Sequence, residues 1–144
     1  MKIYFDYDRN AVEYSIKIFE YIDNTYKGNM IVNFRSGSKY PYPIIAEQMA
    51  RTILKDVNAL GILICGTGIG MAIVSNKLPG IYANACRTVE ECAYFRKKNK
   101  GNLLCIGANL TAISDAKKII DTFLTTEFDA SNQPRINLIN SIFT

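Results

Sequence analysis

A thiol followed by alternating glycines is the segment of this sequence best suited to chemistry. Cys65 ends an apolar run, and three glycines follow it before a segment that can continue as a helix: Gly66, Gly68 and Gly70. The unpaired N–H groups at a helix start carry partial positive charge and favour anions. A thiol placed there is expected to ionise more easily than a free one. The segment therefore predicts a base that removes a proton while the loop holds the resulting oxyanion.

The composition predicts one folded domain that covers residues 1–144. Of the 144 residues, 49% are hydrophobic, which is enough for a single core, and 21% are charged, which argues against global disorder. The net charge of +4 is mild, and no long basic stripe points to a nucleic-acid partner. One short basic cluster at residues 96–100 fits either a solvated helix end or a phosphate-binding edge.

The chain has four cysteines and no histidine. The cysteines form no CxxC pair, so the sequence predicts no zinc site, no His-dependent triad and no bound metal. No organic cofactor is expected either. The first residues are charged rather than apolar, so no secretory signal is expected, and a cytoplasmic location with reduced thiols follows as the prediction.

Residues 57–76 carry no charge over a length close to that of a membrane-spanning helix. The same stretch contains four glycines and several polar residues. A buried strand, a glycine loop and a short core helix explain this pattern better than a membrane span does. No membrane partner is therefore predicted.

Apolar runs alternate with amphipathic helices along the whole chain. Strands are predicted at residues 2–5, 30–34, 60–65, 81–85 and 103–106. Helices are predicted at residues 11–26, 44–57, 71–76, 89–98, 114–125 and 134–143. This alternation predicts an α/β fold in which helices cover both faces of a parallel sheet. The last helix can fold back on the domain or pack on a partner subunit.

Spacings of three and four residues indicate which helix faces turn inward. The predicted faces are Val12, Ile16, Phe19 and Ile22 in the first helix; Ile45, Met49, Ile53 and Leu54 in the second; and Ala116, Ile119, Ile120 and Phe123 in the fifth. The apolar positions of the last helix are Ile136, Leu138, Ile139 and Ile142, and their spacing does not decide what they pack against. Asp8 or Asn10 is expected to cap the first helix.

Ligands of parallel α/β sheets bind beyond the carboxyl ends of the strands, so the loops after the strands form the candidate site. Each candidate there also has a purely structural reading. Cys65 can be a buried strand cysteine. Asp8 can be a helix cap with Arg9 as a surface charge, and Tyr42 can belong to a rigid loop or project into the cleft.

A nucleotide-binding role for the glycine loop is disfavoured. The loop lacks the GxGxxG spacing and the P-loop lysine, and it lies in the third strand–helix unit rather than the first.

The segment GILICGTGIGMAIVSNKLPGI resembles the ribose-5-phosphate isomerase B family, which also includes galactose-6-phosphate isomerase subunits. The resemblance extends to FDYD at the first strand end, to Tyr42-Pro43, to Asn99 and to Gly107-Ala108. It implies a Rossmann-like three-layer α/β/α sandwich with a five-stranded parallel sheet. It also implies a homodimer or homotetramer whose active sites each draw on two subunits.

The resemblance implies an aldose–ketose isomerase that acts on a phosphorylated pentose or hexose through an enediolate. Cys65 is the implied base, and the Thr67 hydroxyl is implied to assist proton movement. The residues implied to hold the enediolate oxygens through backbone N–H groups are Gly66, Gly68, Ile69 and Gly70. The residues implied to bind the rest of the substrate are Asp8, Asn99 and Arg135.

Four positions depart from the family pattern, and one of them is near Ser131, where the second of two late arginines is expected. Arg9 and Lys98 stand where the family usually has histidines, the second of which opens the sugar ring, and Asn109 stands where an arginine is expected. Lys98 could replace the ring-opening histidine as acid–base. Alternatively, the substrate is a different or an open-chain sugar phosphate, and Arg9, Lys98 and Arg135 form a rearranged phosphate site. A non-catalytic sugar-phosphate-binding protein or subunit is the remaining alternative.

Overall fold

Five parallel strands form the central sheet in the computed structural model, which describes residues 1–37 and 39–142. The strands are β1 (Lys2–Tyr7), β2 (Met30–Asn33), β3 (Ala59–Cys65), β4 (Ala83–Ala85) and β5 (Leu103–Gly107). Their order across the sheet is β2-β1-β3-β5-β4, and each neighbouring pair is parallel. The five predicted strands are confirmed, with ends that shift by one or two residues.

Six α-helices lie between and after these strands in the described part of the chain. They are α1 (Val12–Thr25), α2 (Tyr42–Lys55), α3 (Ile69–Ser75), α4 (Val89–Asn99), α5 (Ile113–Thr125) and α6 (Gln133–Ser141). Short 3₁₀ turns precede α1 at Arg9–Ala11 and α6 at Ala130–Asn132. The predicted end of the last helix at Phe143 falls outside the described residues.

The hydrophobic core has two parts, one on each face of the sheet. Alternate residues of β3 divide between them: Ile62 and Ile64 belong to the part that α1 and α5 cover, whereas Leu63 and Cys65 belong to the part that α2 and α3 cover. All seven residues of β3 are buried, as a central parallel strand requires. The predicted three-layer α/β/α sandwich is therefore confirmed.

The predicted inner faces are correct for some helices and wrong for others. Helix α5 buries all four predicted residues, and α2 buries Ile45, Met49 and Ile53. Leu54, however, is exposed. In α1, Val12 and Ile16 are also exposed, and the buried stripe is Ser15, Ile18 and Ile22. Two apolar stripes overlap on α1, so spacing alone could not identify the one that faces the sheet.

Helix α6 has a largely uncovered apolar surface. Ile136 is buried, but Leu138, Ile139 and Ile142 are exposed by 68%, 46% and 62%. The four apolar positions therefore do not form one buried face in this chain taken by itself, and packing of α6 on a partner subunit stays a prediction. Asp129, just before α6, donates its N–H to the carbonyl oxygen of Lys97 over 3.0 Å.

The uncharged stretch at residues 57–76 folds as predicted into β3, a glycine loop and α3. Within the described ranges, 1–37 and 39–142, none of the helices has the length and apolar character needed to cross a bilayer.

Candidate active site

The strand order places a crevice between β1 and β3. The chain passes from β1 to β2 on one side and then crosses to β3 on the other, which makes this the point where loops diverge and ligands bind. The N–H of Asp8 extends the pairing by donating to the carbonyl oxygen of Ile64 over 3.0 Å. The carboxyl ends of β1 and β3 therefore bring Asp8 and Cys65 to the same edge of the sheet.

Cys65 lies at the end of β3, 6% exposed, with its sulfur facing the start of α3. The backbone N–H of Gly68 donates a hydrogen bond to Cys65 Sγ over 3.1 Å. Gly68 has φ +78°, a left-handed conformation that glycine adopts without strain, and it turns the chain from the loop into α3. The predicted neighbourhood of thiol and helix-start amides is present.

Burial raises the pKa of the Cys65 thiol. Hydrogen bonds from the N–H groups of Gly68, Thr67 and Met71 favour the thiolate, whereas the nearby Asp8 carboxylate disfavours it. The expectation of an easily ionised thiol is therefore wrong, because loss of hydration outweighs the stabilisation by helix-start amides. The amides lower the cost of forming the thiolate without making it the resting form.

Tyr42 reaches the glycine loop from the first turn of α2. Pro43, the next residue, lies in that first turn, where its missing N–H costs nothing. A β-carbon built on Gly70 would lie 2.5 Å from Cε1 of Tyr42 and 3.0 Å from its hydroxyl oxygen. The Tyr42 ring therefore packs directly on Gly70. Of the two alternatives for Tyr42, a rigid loop or projection into the cleft, this contact supports projection into the cleft.

Asn109 approaches the loop from the other side, after β5. Its N–H donates to the carbonyl oxygen of Gly66 over 2.9 Å. Its side-chain Nδ2 is 3.2 Å from where a Gly66 β-carbon would stand. Asn109 thus places an exposed amide beside the residue that follows the thiol.

The remaining loop residues present polar groups outward. Thr67 is exposed, and its hydroxyl oxygen accepts a hydrogen bond from the N–H of Ile69 over 3.2 Å. A β-carbon on Gly107 would lie 2.5 Å from the backbone of Thr67, so the end of β5 packs directly against the backbone of the glycine loop. Beside the loop is a cavity of about 360 Å³ that Thr67, Ile69 and Arg87 help to line.

Asp8 is buried, and its carboxylate caps the 3₁₀ turn that follows. Oδ1 accepts from the N–H of Asn10 over 3.0 Å, and Oδ2 accepts from the side chain of Asn10 over 3.4 Å. Asp8 therefore caps the 3₁₀ turn as a structural residue, whereas the predicted side-chain cap of α1 itself is wrong, because α1 begins after Ala11 without one. The cap holds the carboxylate at the crevice. Arg9 is exposed within the same turn.

Lys98, Asn99 and Arg135 do not lie beside Cys65 in one chain. Helix α4 has 11 residues and is about 16 Å long, and it returns from the carboxyl edge of the sheet to the amino edge. Lys98 at its end lies over the Tyr94 ring, 5.4 Å from the centroid. Asn99 lines a different cavity, of about 450 Å³, with Tyr82 and Tyr94.

Arg135 lies with Lys98 and Asn99 at the amino edge of the sheet, and these three residues form the amino-edge group. Nη1 of Arg135 donates to Oδ1 of Asn132 over 3.3 Å. The start of α6 contacts the end of α4, where Lys100 donates to the side chain of Gln133 over 3.0 Å. The chain therefore presents two separate sets of site residues, one around Cys65 and one around the ends of α4 and α6.

Asp6 and Ser36 belong to the loops predicted to surround the site, but neither is among the predicted site residues. The buried Asp6 carboxylate accepts hydrogen bonds from the N–H of Tyr7, from the N–H of Ser36 and from the Ser36 hydroxyl. Burial raises the pKa of this carboxyl although those hydrogen bonds oppose the rise. The contact fixes the loop after β2, where Gly37 forms a bridge with Asp8. In the sequence, this Asp6–Ser36 contact is indicated only by the presence of Asp6 as a second acid beside Asp8 at the end of β1.

No cluster of three or more His, Cys, Asp or Glu side chains suited to a metal ion occurs among residues 1–37 and 39–142. The polar groups at the crevice are a thiol, a carboxylate, hydroxyls and backbone amides. That set suits proton transfer and oxyanion binding on a carbonyl compound.

The model of one protein family, Ribose/Galactose Isomerase, matches residues 3–139. The chain belongs to this family. The D-erythrulose-4-phosphate isomerase of Pectobacterium atrosepticum is 32% identical over 136 residues, which cover 92% of this chain and 88% of that protein. The ribose-5-phosphate isomerase B of Escherichia coli is 33% identical over 108 residues, which cover 74% of this chain and 72% of that protein.

A solved structure of the Ribose/Galactose Isomerase family agrees with the fold. The ribose-5-phosphate isomerase B of Mycoplasma genitalium with bound ribulose 5-phosphate superposes with a TM-score of 0.86 at 29% identity. The match covers 96% of this chain and 93% of that chain. This member of the family is therefore a sugar-phosphate aldose–ketose isomerase, and its fold is that of its solved relatives.

Proposed function

We propose that Cys65 is the base that moves a proton between C1 and C2 of a phosphorylated sugar. The observation that carries the proposal is the position of the Cys65 sulfur at the crevice, hydrogen-bonded to the Gly68 N–H at 3.1 Å. Proton transfer needs a base at the reacting carbon and donors at the oxygen on which charge develops. The segment from Cys65 to Gly70 supplies both within six residues.

The proposed reaction conserves all atoms. From a ketose phosphate, the Cys65 thiolate removes a proton from C1, and the electrons of that C–H bond form a C1–C2 double bond. The carbonyl π electrons move to O2, which gives the enediolate. The thiol then returns the proton to C2, while the hydroxyl proton of O1 passes to O2. The product is the aldose phosphate, and Thr67 Oγ lies in the loop where it can assist the oxygen-to-oxygen transfer.

The glycine loop is proposed to stabilise the enediolate. The N–H groups of Gly66, Gly68, Ile69 and Gly70 belong to the loop or to the first turn of α3. One preorganised donor of this kind is typically worth about 3 kcal/mol of barrier height. The N–H groups of this loop also favour the thiolate, which offsets part of the rise in the Cys65 pKa that burial causes.

Substrate contacts on the same chain are proposed for Asp8, Arg9, Tyr42 and Asn109. Asp8 presents a carboxylate for sugar hydroxyls, and Asn109 presents an amide beside Gly66. Arg9 adds a positive charge at the same edge for the phosphate. Tyr42 covers Gly70 and closes one wall of the crevice.

A second copy of the chain is proposed to supply Lys98, Asn99 and Arg135. These three residues are exposed at the opposite edge of the sheet, about the length of α4 from Cys65. A symmetric dimer can bring the amino-edge group of one copy to the crevice of the other. The exposed apolar residues of α6, Leu138 and Ile139, give such an interface a surface to bury.

The substrate is proposed to be an aldose or ketose of four to six carbons with a terminal phosphate. The two curated relatives named above act on a four-carbon and a five-carbon sugar phosphate by their names. The solved relative holds a five-carbon ketose phosphate. The similarity between the fold of this chain and that of the solved relative supports a crevice of similar form here.

The proposal is tested by assaying wild type and Cys65→Ala on a panel of tetrose, pentose and hexose phosphates. Turnover that the substitution abolishes, with unchanged thermal unfolding, supports Cys65 as the base. Thermal stabilisation by these ligands without turnover by wild type would instead support a non-catalytic binding protein.

A further inference from the structure

The groups that face Cys65 are poorly suited to opening a sugar ring. From the elements packed around the thiol come the Asp8 carboxylate, the Tyr42 phenol, the Thr67 hydroxyl and the Asn109 amide. None of them is an imidazole, the side chain that most often both accepts and donates protons near neutral pH. The Asp8 oxygens already accept two hydrogen bonds from Asn10.

Ring opening makes two demands that proton transfer on an open sugar does not. The anomeric hydroxyl must lose a proton, and the ring oxygen must gain one as the C1–O bond breaks. Imidazole meets both demands near pH 7, because it readily accepts and donates protons there. The sequence contains no histidine, so neither this chain nor a second copy of it brings an imidazole to the crevice.

Lys98 does not fill this role in the arrangement the structure shows. Its ammonium is exposed and lies over the Tyr94 ring at 5.4 Å. The ring attracts the side-chain cation electrostatically and holds it away from Cys65. Such a group is suited to attracting a phosphate rather than to accepting the anomeric proton.

We infer that this enzyme acts on phosphorylated sugars that are already open-chain and does not catalyse ring opening. The inference rests on the proposed function of Cys65. In a tetrose 4-phosphate the phosphate occupies the oxygen that would close a five-membered ring, and the other hydroxyls could close only strained three- or four-membered rings. A ketopentose 5-phosphate is blocked in the same way. An aldopentose 5-phosphate, in contrast, closes through its free C4 hydroxyl.

The experiment compares initial rates against enzyme concentration for three substrates: a tetrulose 4-phosphate, ribulose 5-phosphate and ribose 5-phosphate. The first two rates are expected to rise in proportion to enzyme. The rate on ribose 5-phosphate is expected to level off at the spontaneous rate of ring opening, which is measured separately without enzyme. Beyond the start of that plateau, each doubling of the enzyme concentration is expected to double the ratio of the ribulose 5-phosphate rate to the ribose 5-phosphate rate.

Added imidazole provides the second readout. It catalyses ring opening from solution, so it is expected to raise the plateau for ribose 5-phosphate and to leave the tetrulose phosphate rate unchanged, with sodium chloride as the ionic-strength control. A ribose 5-phosphate rate that stays proportional to enzyme beyond the spontaneous opening rate would overturn the inference. Failure of the proposed function looks different, because Cys65→Ala would then leave turnover of the open-chain substrates intact.

Discussion

The ring of Tyr42 occupies the space that any side chain on residue 70 would need, because a β-carbon on Gly70 would lie 2.5 Å from Tyr42 Cε1. This contact joins the start of α2 to the start of α3 across the mouth of the crevice. It explains why the third glycine of the loop has no side chain although the helix has already begun there.

Gly70→Ala is predicted to lower kcat/KM by about tenfold or more, because the new methyl group displaces Tyr42 and shifts the loop from its reactive geometry. Steady-state kinetics on the best open-chain substrate measure the effect. The matched background is Tyr42→Ala, in which the same Gly70→Ala change has room and is expected to cost little further activity. Equal losses in both backgrounds would show that the contact does not position the loop.

Gly107→Ala is predicted to destabilise the protein by about 1–3 kcal/mol, the usual cost of overpacking. The added β-carbon would lie 2.5 Å from the Thr67 carbonyl carbon, and backbone cannot turn aside as a side chain can. Urea unfolding measures the difference. Gly66→Ala is the control, since its β-carbon would meet only the flexible Asn109 amide at 3.2 Å. A larger loss of stability in Gly66→Ala than in Gly107→Ala would contradict this prediction.

The raised pKa of Cys65 predicts slow alkylation of this thiol near neutral pH. Its thiolate forms only as the pH rises above the range of an ordinary thiol, so both its alkylation rate and kcat/KM are expected to increase with pH on the alkaline side of neutrality. Iodoacetamide labelling followed by peptide mass spectrometry measures the rate against a small free thiol. Faster labelling of Cys65 than of the free thiol at pH 7 would refute the prediction.

Mixing two inactive variants is predicted to restore activity if each site uses two copies of the chain. Cys65→Ala removes the base from one set of residues, and Asn99→Ala removes a member of the other set. After unfolding and refolding together, half of random dimers are mixed and each holds one intact site, which gives about a quarter of wild-type activity. A mixture that remains inactive, while refolded wild type recovers, would show that Asn99 acts together with the Cys65 of its own chain.

The fold was predictable from the sequence because buried parallel strands are uniform apolar runs. The residues around Cys65 also came together as predicted, since topology alone brings the loops after β1, β3 and β5 to one edge. Periodicity was insufficient where two apolar stripes share a helix, as on α1, where Ile16 is exposed and Ile18 is buried.

The ionisation of Cys65 could not be predicted, because it depends on a balance between burial and hydrogen bonds. A sequence shows that a thiol precedes a helix start, but it does not show how much water reaches the sulfur. The Asp6–Ser36 contact was missed for a similar reason: the partners are 30 residues apart and meet only when β2 lies beside β1.

Hydrogen exchange between substrate and solvent tests the central claim most directly. In deuterated water, wild type is predicted to place deuterium on C1 of ribulose 5-phosphate, as seen by proton NMR, because the thiol exchanges its proton while the enediolate persists. Cys65→Ala is predicted to lose this exchange by a factor of about 100 or more while it still binds the ligand. Deuterium incorporation at the wild-type rate in Cys65→Ala would contradict the assignment of Cys65 as the base.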